Sequence, residues 1–245
     1  MNFREYNKRT VTTLLIALTV LSLSFTGCKE RVETDPKNPY GLDIINSLEA
    51  YSKTVEADSS NLLVDLEKYI PGVVLDIRYA TENNFTGKKI YTAPKAWLRK
   101  DAADSLLKIQ QILAQEGLGI KVFDAYRPYA GTLYFYEVYG DTTFVAAPWK
   151  GSIHNRGGAV DLTLINLTTG EELPMPTPFD EFSERASYHY MDLSPEVLAN
   201  RERLLKVMTE NGFTPYEFEW WHFNIKGRDR YSLMDISFED LEKIE

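Results

Sequence analysis

The chain has 245 residues, 44% of them hydrophobic and 26% charged, the size and balance of one ordinary globular domain. Its formal net charge is −9 at pH 7, and a chain this acidic lacks the basic footprint by which proteins hold nucleic acid.

The first segment stands apart from any fold. Residues 1–10 carry Arg4, Lys8 and Arg9, and residues 11–25 are apolar without a charge. A basic start, an apolar run of about 15 residues and a small-residue site form the pattern of an export signal. The run is shorter than the roughly 20 residues that a membrane-spanning helix needs. It ends in Phe25-Thr26-Gly27-Cys28, which holds the only cysteine. This stretch resembles the lipobox of bacterial lipoproteins, with Phe25 where Leu is usual. The resemblance implies that residues 1–27 are a signal peptide and that Cys28 becomes the lipidated first residue of an exported, membrane-tethered chain, periplasmic or at the cell surface. Plain secretion or an uncleaved anchor is the alternative. Removing residues 1–27 takes away Arg4, Lys8 and Arg9 but only one acid, Glu5, so the mature chain is more acidic still. With Cys28 lipidated, no thiol remains for a disulfide or a thiolate site.

Residues 28–61 are polar, with Pro36, Pro39 and the run Glu56-Ala57-Asp58-Ser59-Ser60. They read as a tether, with a short helix near residues 42–51, and the folded domain then spans residues 62–245. Val73-Val74-Leu75-Asp76-Ile77-Arg78-Tyr79 is β-branched and aromatic, the composition of a strand. Leu98, Ala102, Leu106, Ile109 and Leu113 recur at helical spacing, and Gly117 follows where a helix would stop. Ile120-Lys121-Val122-Phe123 predicts a second strand, and Pro128 opens a helix through Tyr139. Residues 159–164 predict a third strand, with a turn at Thr168-Thr169-Gly170. Ser194-Pro195-Glu196 supplies an N-cap, a first-turn proline and a carboxylate that complements the helix dipole, and Asn211-Gly212 supplies the stop. Residues 216–225 predict the last strand. Strands and helices interleave without Val-rich parallel runs or a Gly-rich phosphate loop, so the expected fold is a single α+β domain, a mostly antiparallel sheet flanked by helices.

The chain has three histidines, and two of them stand in distinctive company. In Ser152-Ile153-His154-Asn155-Arg156-Gly157-Gly158-Ala159-Val160-Asp161, the glycine pair lets the backbone turn sharply after His154, so that Asp161 on the next strand can return beside it. The second setting is Glu219-Trp220-Trp221-His222. His154, Asp161 and His222 would give Zn²⁺ three ligands and leave a fourth, open position for water, the arrangement of a catalytic site. Glu219 is the candidate general base for that water. Residues three apart on a regular strand face opposite sides. Glu219 and His222 can therefore share a site only if the strand is irregular, and a break is expected at Trp220-Trp221. His189, in Tyr188-His189-Tyr190, lacks such neighbours and reads as a loop residue, and the two tryptophans read as core and pocket wall. Arg127 sits between a strand and the helix-opening Pro128. From there a guanidinium can stabilise the oxyanion of peptide hydrolysis, or simply pair with Asp124.

Tyr79-Ala80-Thr81 with Asn84-Phe85-Thr86-Gly87, Asp124-Ala125-Tyr126-Arg127-Pro128, the Ser152-to-Leu164 motif and Glu219-Trp220-Trp221-His222 occur in the order found in D-alanyl-D-alanine dipeptidases. The chain resembles that family, which includes the vancomycin-resistance dipeptidase, over residues 62–225. The resemblance implies one zinc ion per chain held by His154, Asp161 and His222, with Glu219 as catalytic base and Arg127 as transition-state stabiliser. It also implies that Tyr79, Ser152 and Asp180 help to form a small pocket for a free dipeptide such as D-alanyl-D-alanine. Pro176, four residues before Asp180, stands where family members usually have Gly. Two other readings stay open: a D,D-carboxypeptidase or endopeptidase on peptidoglycan peptides, which needs an open groove, and a zinc-stabilised binding lipoprotein without turnover, for which Glu219 would have no purpose.

Overall fold

Helix boundaries follow the local signals closely. The computed structural model describes residues 35–244. Its strands are β1 (Ile44–Ile45), β2 (Leu63–Asp65), β3 (Val74–Leu75), β4 (Trp97–Arg99), β5 (Leu118–Asp124), β6 (Ala159–Asn166), β7 (Phe213–Tyr216), β8 (Glu219–Ile225) and β9 (Leu233–Met234). The helices are α1 (Leu48–Ala57), α2 (Leu66–Tyr69), α3 (Lys100–Ala114), α4 (Tyr129–Tyr139), α5 (Pro195–Glu210) and α6 (Phe238–Leu241). Ser194 caps α5 by accepting from Val197 N–H, with Pro195 opening the first turn. Helix α4 starts after Pro128 and stops at Gly140, which adopts the left-handed conformation at φ 75°. Helix α3 buries Ala102, Leu106, Ile109 and Leu113, the periodic set read from the sequence. Leu98, which shares that spacing, instead lies in β4 and pairs antiparallel with Val64 of β2.

The main sheet has the order β3-β5-β6-β8-β7. Only β3–β5 is parallel; β5–β6, β6–β8 and β8–β7 are antiparallel, so the α+β expectation holds. Strand β6 is buried from Ala159 through Ile165, which is why it shows little polar alternation. Helix α3 packs on β5 and α5 on β7. Leu106, Ile109, Leu113, Ile120, Val122, Leu162, Leu164, Leu204, Val207 and Phe213 join one hydrophobic core. Among the described residues, no helix is long and apolar enough to cross a membrane.

Three expectations need correction. The strand predicted over residues 73–79 is confined to Val74–Leu75, because the chain turns into a short 3₁₀ segment at Arg78–Ala80 that buries Tyr79. The strand predicted over residues 216–225 is a hairpin: Tyr216 ends β7, Glu217 and Phe218 turn, and Glu219 begins β8. The tether read over residues 28–61 is folded in its later part. Ile44 and Ile45 pair with Leu233 and Met234, and Tyr51 is 1% exposed with its hydroxyl accepting from Leu63 N–H at 2.7 Å. Its scattered apolar residues are too few to read as core in sequence, yet they cover the domain. The signal segment and Cys28 lie outside the described residues.

Candidate active site

Three strand segments converge at one end of the sheet. Asp161 near the start of β6 lies opposite His222 of β8 on one side and Asp124, the last residue of β5, on the other. A register shift between Val122 and Asp124 carries the end of β5 into this position. A second irregularity lies in the β7–β8 hairpin, where Pro215 pairs with Phe223 but the next residue, Tyr216, pairs with Glu219. Trp220, Trp221 and His222 are thus the extra residues of β8, the break expected from the sequence. It brings Glu219 Oε2 to 3.7 Å from His222 Nδ1.

His154 sits on the 3₁₀ turn His154–Arg156, which ends at Gly157 with φ 68°. A Cβ on Gly157 would lie 2.6 Å from Leu63 Cδ2, so both the backbone conformation and the packing demand glycine. His154 Nδ1 donates to the Ala125 carbonyl at 2.6 Å, which leaves Nε2 facing the site. His222 is held the other way round: Nε2 donates to Asn224 Oδ1 at 3.0 Å and leaves Nδ1 inward. Nδ1 of His222 lies 3.2 Å from Nε2 of His154 and 3.0 Å from Asp161 Oδ1, and Asp161 Oδ2 lies 3.4 Å from Nε2 of His154. These three side chains form a group able to hold a metal ion. Although burial opposes ionisation of Asp161, the two histidines hold its carboxyl well below the usual carboxylate range. Burial pushes the Glu219 carboxyl well up, and the nearby Asp161 adds to the shift.

Arg127 is buried, and its Nε and Nη2 donate to Asp124 Oδ2 at 3.1 and 2.7 Å. Its guanidinium also lies over the Phe135 and Tyr79 rings, 4.6 and 5.3 Å from their centroids. The structural pairing and the cavity position thus coexist, because only one edge of the guanidinium faces Asp124. Asp124 in turn accepts from Tyr91 Oη at 2.8 Å and from Ala125 N–H at 2.9 Å. Tyr79 donates its hydroxyl to Asp180 Oδ1 at 3.0 Å. Asp180 is the one non-glycine residue with positive φ among the described residues, at 63°, and its Oδ2 is buried without a partner. Burial, with Asp161 and Glu219 nearby, pushes the Asp180 carboxyl well up. Ser152 accepts from His154 N–H at 3.2 Å and so helps to shape the histidine turn.

Tyr79, Arg127, Ser152, His154, Asp161, Asp180, Glu219 and His222 all line one cavity of about 690 Å³. His189 does not line it and lies tilted against the Tyr188 ring in a loop. Trp221 forms part of the wall, and Trp220 is buried with Nε1 donating to Thr177 Oγ1. Sequence reasoning missed Asn224, although its place two residues after His222 on a strand gives both side chains the same face. It also missed Asn155, which donates to the Arg127 carbonyl at 2.9 Å and accepts from Ser152 N–H at 2.7 Å. An asparagine within a turn carries no local mark of such a role.

The family described as D-ala-D-ala dipeptidase matches residues 59–240. The chain is 36% identical over 176 residues to the D-alanyl-D-alanine dipeptidase of Escherichia coli strain K12, covering 72% of this chain and 91% of that protein. It is 33% identical to the D-alanyl-D-alanine dipeptidase of Enterococcus faecium, over 66% of this chain and 90% of that one. It is more distantly similar to the solved LdcB LD-carboxypeptidase, with a TM-score of 0.40 and 22% identity over 68% of each chain. The chain therefore belongs to the D-ala-D-ala dipeptidase family of peptidases.

Proposed function

We propose that this chain is an exported, lipid-tethered peptidase that hydrolyses D-alanyl-D-alanine or a similar free dipeptide, using one Zn²⁺ held by His154, Asp161 and His222. The observation that carries this reading is the donor set. Two ligands about 2.0–2.1 Å from a tetrahedral Zn²⁺ stand roughly 3.3 Å apart. The two imidazole donors, 3.2 Å apart, fit that spacing, and Asp161 faces both, with Oδ1 3.0 Å from His222 Nδ1 and Oδ2 3.4 Å from His154 Nε2. Each imidazole also donates its outer N–H to a fixed acceptor, the second contact that orients a metal-binding histidine. When bound, the ion would supply a Lewis acid and bring the pKa of water down to about 7.

The chain's own groups then divide the work. Glu219, 3.7 Å from His222 Nδ1 and lining the cavity, takes the proton of the attacking water and passes it to the leaving amine. Arg127, with one edge fixed by Asp124, turns the rest of its guanidinium to the cavity, where it stabilises the developing oxyanion. Tyr79, Asp180 and Ser152 shape the dipeptide pocket. Export and anchoring through Cys28 rest on the signal pattern of residues 1–28.

Glu219→Ala on zinc-reconstituted protein is expected to keep its metal content while turnover of D-Ala-D-Ala falls by about 10²-fold or more. Wild-type turnover in that variant would remove Glu219 from the mechanism. A second reading, a D,D-carboxypeptidase on peptidoglycan peptides, is favoured by one observation. The 690 Å³ cavity lies in the range of roughly 300–1,000 Å³ that holds ligands larger than a dipeptide. Assays of free dipeptide against intact muropeptides separate the two.

A further inference from the structure

The cavity has basic lining residues that the mechanism above does not use. Arg228 and Lys150 both line it, together with Asn224. Arg228 opens the turn Arg228–Arg230 after Gly227, just beyond the end of β8. Its Nη1 makes one long hydrogen bond, 3.4 Å to Thr214 Oγ1, and among the described residues its Nη2 donates to none. Among the described residues, no carboxylate forms an ion pair with either Arg228 or Lys150.

Nearby arginines behave differently. Arg127 is bound to Asp124, and Arg230 to Asp101. A guanidinium offers five N–H donors in a planar fork that matches a carboxylate, and buried donors are rarely left unmade. Arg228, partly exposed on the cavity wall, has donors free for a ligand anion.

The sheet order locates this feature relative to the rest of the site. Tyr79, which holds Asp180, follows β3 at one edge of the main sheet, whereas Arg228 rests on Thr214 of β7 at the other. The cavity thus has an acidic lining residue, Asp180, toward one sheet edge and a basic one, Arg228, toward the other. His154, Asp161 and His222 stand on the elements between them. A free dipeptide carries the complementary pattern: an ammonium, a scissile carbonyl and a carboxylate.

We propose that Arg228, assisted by Lys150, binds the C-terminal carboxylate of the substrate and restricts the site to peptides with a free carboxylate on the residue after the scissile bond. This inference rests on the dipeptide reading of the same site, and Arg228 acts in it as a specificity residue.

The test compares D-Ala-D-Ala with its C-terminal amide on zinc-loaded protein. Turnover is measured for the wild-type, Arg228→Gln, Arg228→Lys and Lys150→Gln chains. Binding is measured by calorimetry for the same substitutions made in the inactive Glu219→Ala chain. Arg228→Gln is expected to raise KM and weaken binding of the free dipeptide about ten-fold or more, the loss of a charge-assisted hydrogen bond, with a smaller change in kcat. Its preference for acid over amide should collapse, and Arg228→Lys should restore part of it. Lys150→Gln alters an exposed side chain without an ion-pair partner, so it tests the same point, with a smaller shift in the same direction, if Arg228→Gln does not fold. A wild-type chain that binds acid and amide equally, or variants with an unchanged acid-to-amide ratio, would overturn the proposal. Carboxylate-dependent binding without turnover would support it while removing the proposed hydrolysis.

Discussion

Tautomer control is the main work done at single positions in this site. A neutral imidazole has one nitrogen to give to a metal, and its partner decides which one. The backbone carbonyl of Ala125 fixes His154 and the side chain of Asn224 fixes His222, with opposite outcomes for the two rings. The Ala125 carbonyl cannot be removed by substitution, but the Asn224 amide can. Asn224→Ala frees the His222 ring to rotate and to present the wrong nitrogen. Zinc affinity is expected to fall about 10–100-fold, read by competition with a chromogenic chelator, while Asn224→Asp retains most of it. Arg127 illustrates a related economy, because the contact with Asp124 that looks merely structural is what holds its guanidinium at the cavity wall.

Two irregular elements bring the candidate metal-binding group and Glu219 together, and regular ones would keep them apart. A regular β8 would point Glu219 and His222 to opposite faces, and the register shift against β7, where Trp220, Trp221 and His222 have no partner, removes that conflict. The turn before β6 is the other such element. Gly157 allows a left-handed step directly after the His154 turn, with Leu63 of β2 packed where a side chain would be. Gly157→Ala is expected to destabilise the fold by about 2–4 kcal/mol, from left-handed strain together with overpacking. Chemical denaturation would measure that loss, and metal titration should reveal weaker binding as well, since the strain is relieved by moving His154.

At the scale of the molecule, the core and the site share a wall, since Tyr79, Phe135 and Trp221 belong to both, but the metal-binding side chains stand outside the core. The hydrophobic cluster of α3, α5 and the sheet closes without the metal-binding group, unlike a small domain that folds only around its ion. Chelation is therefore expected to abolish hydrolysis while leaving the far-ultraviolet circular dichroism unchanged. Melting temperature should fall by about 5–10 °C as the binding free energy is withdrawn from the folded state. Asp161, Asp180 and Glu219 repel one another in the buried cavity, and a cation relieves that repulsion. Complete unfolding on chelation would show that the ion is structural. The N-terminal segment belongs to this scale too, since β1 and Tyr51 close over the domain through contacts with β9 and β2.

The amino-acid sequence by itself singled out His154, Asp161, Glu219 and His222 as candidates for one site and set most helix limits. Caps, prolines, glycines and the spacings within each motif, His154 to Asp161 and Glu219 to His222, act within a few residues of one another, where backbone sterics and side-chain type are enough to read. It also announced that β8 must break, because strand geometry allows no other way for Glu219 to reach His222. Only the tertiary structure decided which ring nitrogens face inward, that Tyr79 reaches Asp180 across the chain, that Arg228 stands unpaired beside Thr214, and that residues 44–57 are folded rather than a tether. Each of these depends on segments far apart in sequence sharing burial and hydrogen bonds. Such partners leave no local trace, because their free energy exists only once the sheet has brought them together.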